Sequence, residues 1–231
     1  MKLLYLIPLR EDEIADNPGY ISNLKTLFFN TTMANTSIIL QGLSNNSPPL
    51  SDVTSINIHP QMVTELINAV KQVPIQSYDA IIVGDVGFIE SVNELKKLFS
   101  IPIIHVGEAG FLLTQFLGKQ SIAITYNKKF LPWINQIIEY FNMSEHCKSI
   151  KTLDIEPENI INSNDVNNVK NKLISIINNL PQSNNSNVVI LSSAGFANMA
   201  SLIREHVHIP VVDPVESAIK IAEILISMNK S

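Results

Sequence analysis

Cysteine is all but missing from this chain: among 231 residues, only Cys147 carries a thiol. A single thiol excludes an intramolecular disulfide framework and any zinc site built on cysteines. Charge is sparse too, with 16% Asp, Glu, Lys and Arg and a formal net charge of −5. No basic run is longer than the pair Lys128-Lys129, which argues against a nucleic-acid or anionic-membrane surface. Long apolar runs are lacking, and nothing approaches the roughly 20 residues of a membrane span. The opening MKLLYLIPLRED is too short for a secretory signal and has no small-residue cleavage site. No G-x-G-x-x-G follows the first apolar run, so a dinucleotide-binding fold is a poor reading. The expectation is a soluble, cytoplasmic protein with a small-molecule ligand and neither nucleic acid nor membrane as partner.

What is present is apolar residue, 45% of the chain, enough for a sizeable core. More informative is an internal repeat. DAIIVGDVGFIESVNELKKLFSIPIIHVGEA at 79–109 lies without a gap over NVVILSSAGFANMASLIREHVHIPVVDPVES at 187–217, a constant offset of 108. Gly87 falls on Gly195, Phe88 on Phe196, Pro102 on Pro210 and Glu108 on Glu216. Each copy reads as apolar strand, small-residue turn, helix and short Pro-led strand. Such self-similarity predicts two related halves whose equivalent turns face one another.

Strands are predicted at Lys2–Ile7, Thr36–Leu40, 80–83, 102–106, Gln120–Thr125 and Ser149–Asp154. Helices are predicted at Ile21–Asn30, Gln61–Lys71, 88–98, Ala109–Leu117 with Gly118 as cap, Phe130–Tyr140, Asp165–Asn179 and Val215–Met228. Arg10–Asn17 reads as a polar loop, Gly42–Pro60 as a long irregular connection, and PQSNNSN at 181–187 as a linker. Apolar strands without alternation, separated by helices, predict parallel sheets covered on both faces. The fold class is α/β: two pseudo-symmetric flavodoxin-like lobes, each a mainly parallel sheet flanked by helices, with a site in the cleft between them. Residues 1–106 with 215–231 are assigned to one lobe and 107–214 to the other.

Ligands of open parallel sheets bind beyond the carboxyl ends of the strands. Those ends carry Leu9 and Arg10, the turn Gly84-Asp85-Val86-Gly87, Thr125 and Tyr126, and the turn Ser192-Ser193-Ala194-Gly195. The two turns precede helices, so free backbone N–H groups there are expected to seat a carboxylate. Arg10 is a candidate bidentate partner for the same group. Its alternative is a solvated pairing with Glu11 or Asp12. Thr125 and Tyr126 are candidates for substrate contact, as is His59 in the long connection.

The chain resembles the aspartate/glutamate/hydantoin racemase superfamily, most closely its hydantoin-racemase-like branch. The resemblance rests on IPIIHVGEAGFLLTQFLGKQSIAIT at 101–125, FNMSEHCKSIKTLDI at 141–155 and HIPVVDPVESAIKIAEIL at 208–225. It implies cofactor-independent proton transfer at the α-carbon of a small carboxylate substrate, an amino acid or hydantoin-like compound, and a homo-oligomer. In such enzymes a thiol from each lobe works on opposite faces of the α-carbon. Racemisation needs two opposed acid/base groups, and a thiol with a pKa of about 8.5 can exchange roles near neutrality.

Here the two thiol positions fall on Asp85 and Ser193; a shifted alignment moves the first to Ile82. The two-thiol route therefore cannot run. The catalytic candidates become Asp85 on one face and Ser193, or a water it holds, on the other. Each also has the alternative role of capping its own turn. Two further readings remain open: a one-sided decarboxylase or isomerase, and a non-catalytic small-molecule binding protein on the same fold.

Overall fold

The computed structural model describes residues 1–52, 59–85, 87–118, 120–161, 166–180 and 187–229. The chain runs β1 (Lys2–Arg10), α1 (Glu11–Asp16), α2 (Pro18–Thr31), β2 (Ser37–Leu43), α3 (His59–Lys71), β3 (Ala80–Val83), α4 (Ile89–Leu98), β4 (Ile103–His105) and α5 (Val106–Leu117). The second half follows with β5 (Gln120–Thr125), α6 (Leu131–Tyr140), β6 (Cys147–Thr152), α7 (Pro157–Ile161), α8 (Val166–Asn178), β7 (Asn187–Leu191), α9 (Met199–Ile203), β8 (Val211–Val212) and α10 (Pro214–Asn229).

Two four-stranded sheets result, ordered β2-β1-β3-β4 and β6-β5-β7-β8, with every pairing parallel. The matching orders are the repeat made visible. Both faces of each sheet are covered, which is why the strands are continuously apolar. Leu3, Tyr5, Ile7 and Leu9 of β1 pack with residues of α2 and α10, whereas Leu4 and Leu6 pack with residues of α3 and α4. In the second sheet Ile122, Ile124, Val189 and Leu191 face α8 and α9, while Ala123, Val188 and Ile190 face α6 and Phe111 of α5. Full burial of each such aliphatic side chain contributes about 1.5–3 kcal/mol.

The helices after the last strands cross over. α5 follows β4 of the first sheet yet sets Phe111 into the core of the second. α10 follows β8 of the second sheet yet sets Val215, Ala218, Ile219, Ala222 and Ile226 into the core of the first.

Several boundaries differ from expectation. The 10–17 segment is not a loop: Arg10 ends β1 and α1 follows at once. Glu11, Asp12 and Glu13 fill the first turn of α1, where carboxylates favour a helix N-terminus, and the Glu13 Oε2 accepts the Arg10 N–H at 2.9 Å. Pro8 does not end β1 but sits where its register against β2 shifts, because proline has no N–H for the ladder. α5 starts three residues early because His105 Nδ1 accepts the Glu108 N–H and caps it. The helix of the second repeat copy is broken. Asn198 is left-handed at φ 69°, and only Met199–Ile203 is α-helical. α3 begins at His59 inside the expected connection, and residues 181–186 of the expected linker lie outside the described residues.

Candidate active site

The strand order reverses between β1 and β3 in one sheet and between β5 and β7 in the other, the switch points where parallel sheets open a crevice. One cavity of about 100 Å³ joins both switch points. The first half contributes Ile7, Pro8 and Leu9 from β1, Tyr20 from α2, and Gly84, Asp85, Gly87 and Phe88 from the turn after β3. The second half contributes Tyr126, Phe130, Trp133, Ile134 and Pro157, with Ser192, Ser193, Ala194 and Gly195 from the turn after β7.

Asp85 and Ser193 occupy equivalent places and use their side chains alike. Asp85 Oδ1 accepts the N–H of Gly87 at 2.5 Å and of Phe88 at 2.8 Å. Ser193 Oγ accepts the Gly195 N–H at 3.3 Å and donates to the Tyr126 hydroxyl at 2.9 Å. Capping thus holds at both turns, but it leaves Asp85 an oxygen to spare. Its Oδ2 is buried without a hydrogen-bond partner, in a residue only 5% exposed. Burial raises the carboxyl from 3.8 to about 7, against the lowering influence of the two amide bonds, with the Glu90 charge adding to the rise. A carboxyl poised there can both take and give a proton near neutrality.

Tight spacing builds the second wall. A Cβ on Gly195 would overlap the Tyr126 hydroxyl, and a Cβ on Gly84 would overlap the ring of Tyr5. Tyr126 stacks on Phe196 with ring centres 4.7 Å apart, and Tyr20 donates across the cleft to the Ala194 carbonyl at 3.2 Å. Asp213 does not line the cavity; it is 1% exposed, its carboxyl bonded to the N–H groups of Val215, Glu216 and Asn198. Burial raises it to about 6, partly offset by those bonds. It holds the left-handed Asn198 in place, so it orders the turn that carries Ser193.

Of the residues singled out in the sequence, Leu9, Gly84, Asp85, Gly87, Tyr126, Ser192, Ser193, Ala194 and Gly195 meet at the cavity. Val86 lies outside the described residues. Arg10 does not line the cavity: its Nε sits 3.0 Å from Asp12 Oδ1 and 3.7 Å from Glu13 Oε2, drawn to the acidic first turn of α1. Thr125 is fully buried below the rim, and His59 stands one layer out, behind Trp133.

Side chains of the turns themselves take part of the expected carboxylate seat. The Gly87 and Phe88 amides are taken by Asp85, and that of Gly195 by Ser193. Those of Gly84 and Ser192 continue the strand ladders to Leu6 and Ile124. Sequence reading passed over Trp133, Phe130 and Phe88 as cavity walls, and Asp213. The repeat held the clue to Asp213, which aligns with His105, the cap of α5. Among the described residues no group of three or more His, Cys, Asp or Glu side chains is arranged to hold a metal ion.

A sequence model of the family described as Asp/Glu/Hydantoin racemase matches residues 45–222. Hydantoin racemase from Rhizobium meliloti is 20% identical over 166 residues, spanning 71% of this chain and 67% of that protein. Hydantoin racemase from Pseudomonas sp. (strain NS671) is 19% identical over 229 residues, spanning 90% and 87%. Among solved structures, allantoin racemase from Pseudomonas fluorescens shares the fold with a TM-score of 0.83 at 19% identity, covering 99% of this chain and 92% of that one.

Proposed function

The chain belongs to the Asp/Glu/hydantoin racemase family, and on that premise we propose an isomerase-type enzyme that moves a proton at a carbon next to a carbonyl group. Asp85 is the acid/base on one wall, and the hydroxyl pair Ser193–Tyr126 forms the other. One observation carries the reading: Asp85 Oδ1 is pinned by two amides while Oδ2 is buried and bare, in a carboxyl held at about 7. An unpaired buried acceptor costs about 1–3 kcal/mol, and a reacting C–H or a substrate donor relieves that cost.

In the forward step Asp85 takes the α-proton and becomes the neutral acid, and the electron pair moves onto the adjacent carbonyl oxygen. The Ser193 and Tyr126 hydroxyls supply hydrogen bonds to that oxygen or a proton to the opposite face. Among substrates, an uncharged hydantoin-like ring fits better than a free amino acid. No Lys, Arg or His is among the described residues that line the cavity, and the Gly87, Phe88 and Gly195 amides, which could have seated a carboxylate, are engaged by Asp85 and Ser193. Burying an unpaired carboxylate beside Asp85 is strongly unfavourable.

A second reading has its own support. No carboxylate, imidazole, thiol or amine lies beside Ser193 among the described lining residues, so exchange confined to the Asp85 face competes with full racemisation. The test is deuterium uptake at C5 of enantiopure 5-isopropylhydantoin in heavy water, followed by NMR and chiral chromatography. Uptake above the spontaneous rate is expected. Uptake no faster than in buffer would refute the assignment.

A further inference from the structure

Trp133 is the chain's single tryptophan, and it lines the cavity. It belongs to α6 of the second half but lies against the first. Its ring is the nearest neighbour of the open side of Gly87, where a Cβ would come within 3.4 Å. His59, the first residue of α3, stacks on the indole with ring centres 4.9 Å apart and planes 23° from parallel. His59 is itself tied down. Its Nε2 lies 3.3 Å from the Gly87 carbonyl oxygen and 3.5 Å from Glu90 Oε2. Both partners are acceptors, so Nε2 carries the proton and donates. Further bonds run down the same seam between α4 and α6: Gln136 to Glu90 at 3.4 Å, and the Tyr140 hydroxyl to Asn93 at 2.6 and 2.9 Å. The indole is therefore clamped rather than loosely leaning. With Phe88, Phe130 and Ile134 it gives the cavity an apolar, largely aromatic lining.

We infer that Trp133 determines specificity in this cavity, forming one side of a slot for a flat, uncharged apolar substituent on the reacting carbon, and that His59 is the positioning residue that holds it. The inference rests on the proposed proton-transfer reading for what the rest of the substrate does, but the slot is a binding property that can be measured alone. An aromatic substituent gains the burial of its own faces and an offset stack on the indole. A substrate with hydrogen in that place leaves the slot to water. An anionic substituent meets no Lys, Arg or His among the described residues that line the cavity.

Because Trp133 is the sole tryptophan, its emission reports occupancy directly. The probes are unsubstituted hydantoin and 5-benzylhydantoin, titrated into the full chain, with deuterium exchange at C5 measured in parallel. The benzyl compound is expected to bind at least about tenfold more tightly and to alter Trp133 emission saturably. By calorimetry, Trp133→Ala lowers that preference below about threefold. His59→Ala does the same with indole emission shifted toward that of exposed tryptophan, and His59→Phe, which keeps a stacked ring, restores the preference. Equal affinity of the two probes, or a preference that survives Trp133→Ala, overturns the inference even if exchange proceeds. A tenfold preference without exchange upholds the slot and overturns the proton-transfer reading. Binding of neither probe overturns both.

Discussion

Replacing Asp85 by Asn separates its chemistry from its capping. Asn keeps an amide oxygen where Oδ1 accepts the Gly87 and Phe88 N–H groups, so the turn survives, but it can neither take nor give a proton. Exchange is expected to fall by about 10²–10⁴. Stability should move the other way. Below pH 3.8 the carboxyl is neutral in both folded and unfolded chains and costs nothing. As pH rises toward about 7, the unfolded chain ionises while the buried carboxyl stays protonated, and wild-type stability falls until the folded pKa is passed. The gap between 3.8 and about 7 amounts to on the order of 4 kcal/mol lost by pH 8. Asn is spared that loss but sets an amide NH2 where Oδ2 is buried without a partner, at a cost of about 1–3 kcal/mol, leaving a net gain on the order of 2 kcal/mol. For a chain of this size that is a Tm rise of roughly 4–8 °C at pH 8, shrinking to nothing or reversing near pH 4. Asp213, raised in the same direction, is present in both proteins and cancels from the difference. Scanning calorimetry of both proteins from pH 4 to pH 8 reads the result. A variant less stable than wild type by the same margin at every pH would refute the reasoning, because Asp85 would then be a structural cap and nothing more.

Two further outcomes follow from the same geometry. Gly195→Ala places a methyl on the Tyr126 hydroxyl and breaks its bond to Ser193, so steady-state exchange kinetics should show a loss of about 100-fold or more. Gly87→Ala meets only the Trp133 ring at 3.4 Å and should stay within about fivefold. Arg10→Ala should leave KM for hydantoin probes within about twofold, since the guanidinium serves Asp12 and Glu13. A tenfold rise in KM would return Arg10 to the site.

The parallel sheets and the facing turns were legible because the repeat states them twice, and because strands buried on both faces must be apolar throughout. Asp85 and Ser193 were legible as the unequal pair at matching turns. What the sequence could not show was direction. Arg10 follows a strand end just as Leu9 does, yet the acidic first turn of α1 pulls it aside. Trp133 and Phe130 fall on a predicted helix, and helical spacing says nothing about what lies across a cleft. The amides of the two turns looked available because their acceptors are side chains only a few residues away, and chain separation alone does not reveal such short loops back.

The crossed helices set the terms on which this site can change. Sheet coverage is reciprocal: Phe111 of α5 closes the second core, and the apolar face of α10 closes the first. Neither half could be remodelled or lost without stripping the other, so the scaffold is bound by a mutual constraint that its surface loops do not share. Asp85 and Ser193 stand outside that constraint, since Asp85 bonds within its own turn and Ser193 only to its turn and to Tyr126. Reactivity at the two walls can therefore be exchanged one side chain at a time on an unchanged frame, and divergence in chemistry is cheap where divergence in architecture is not.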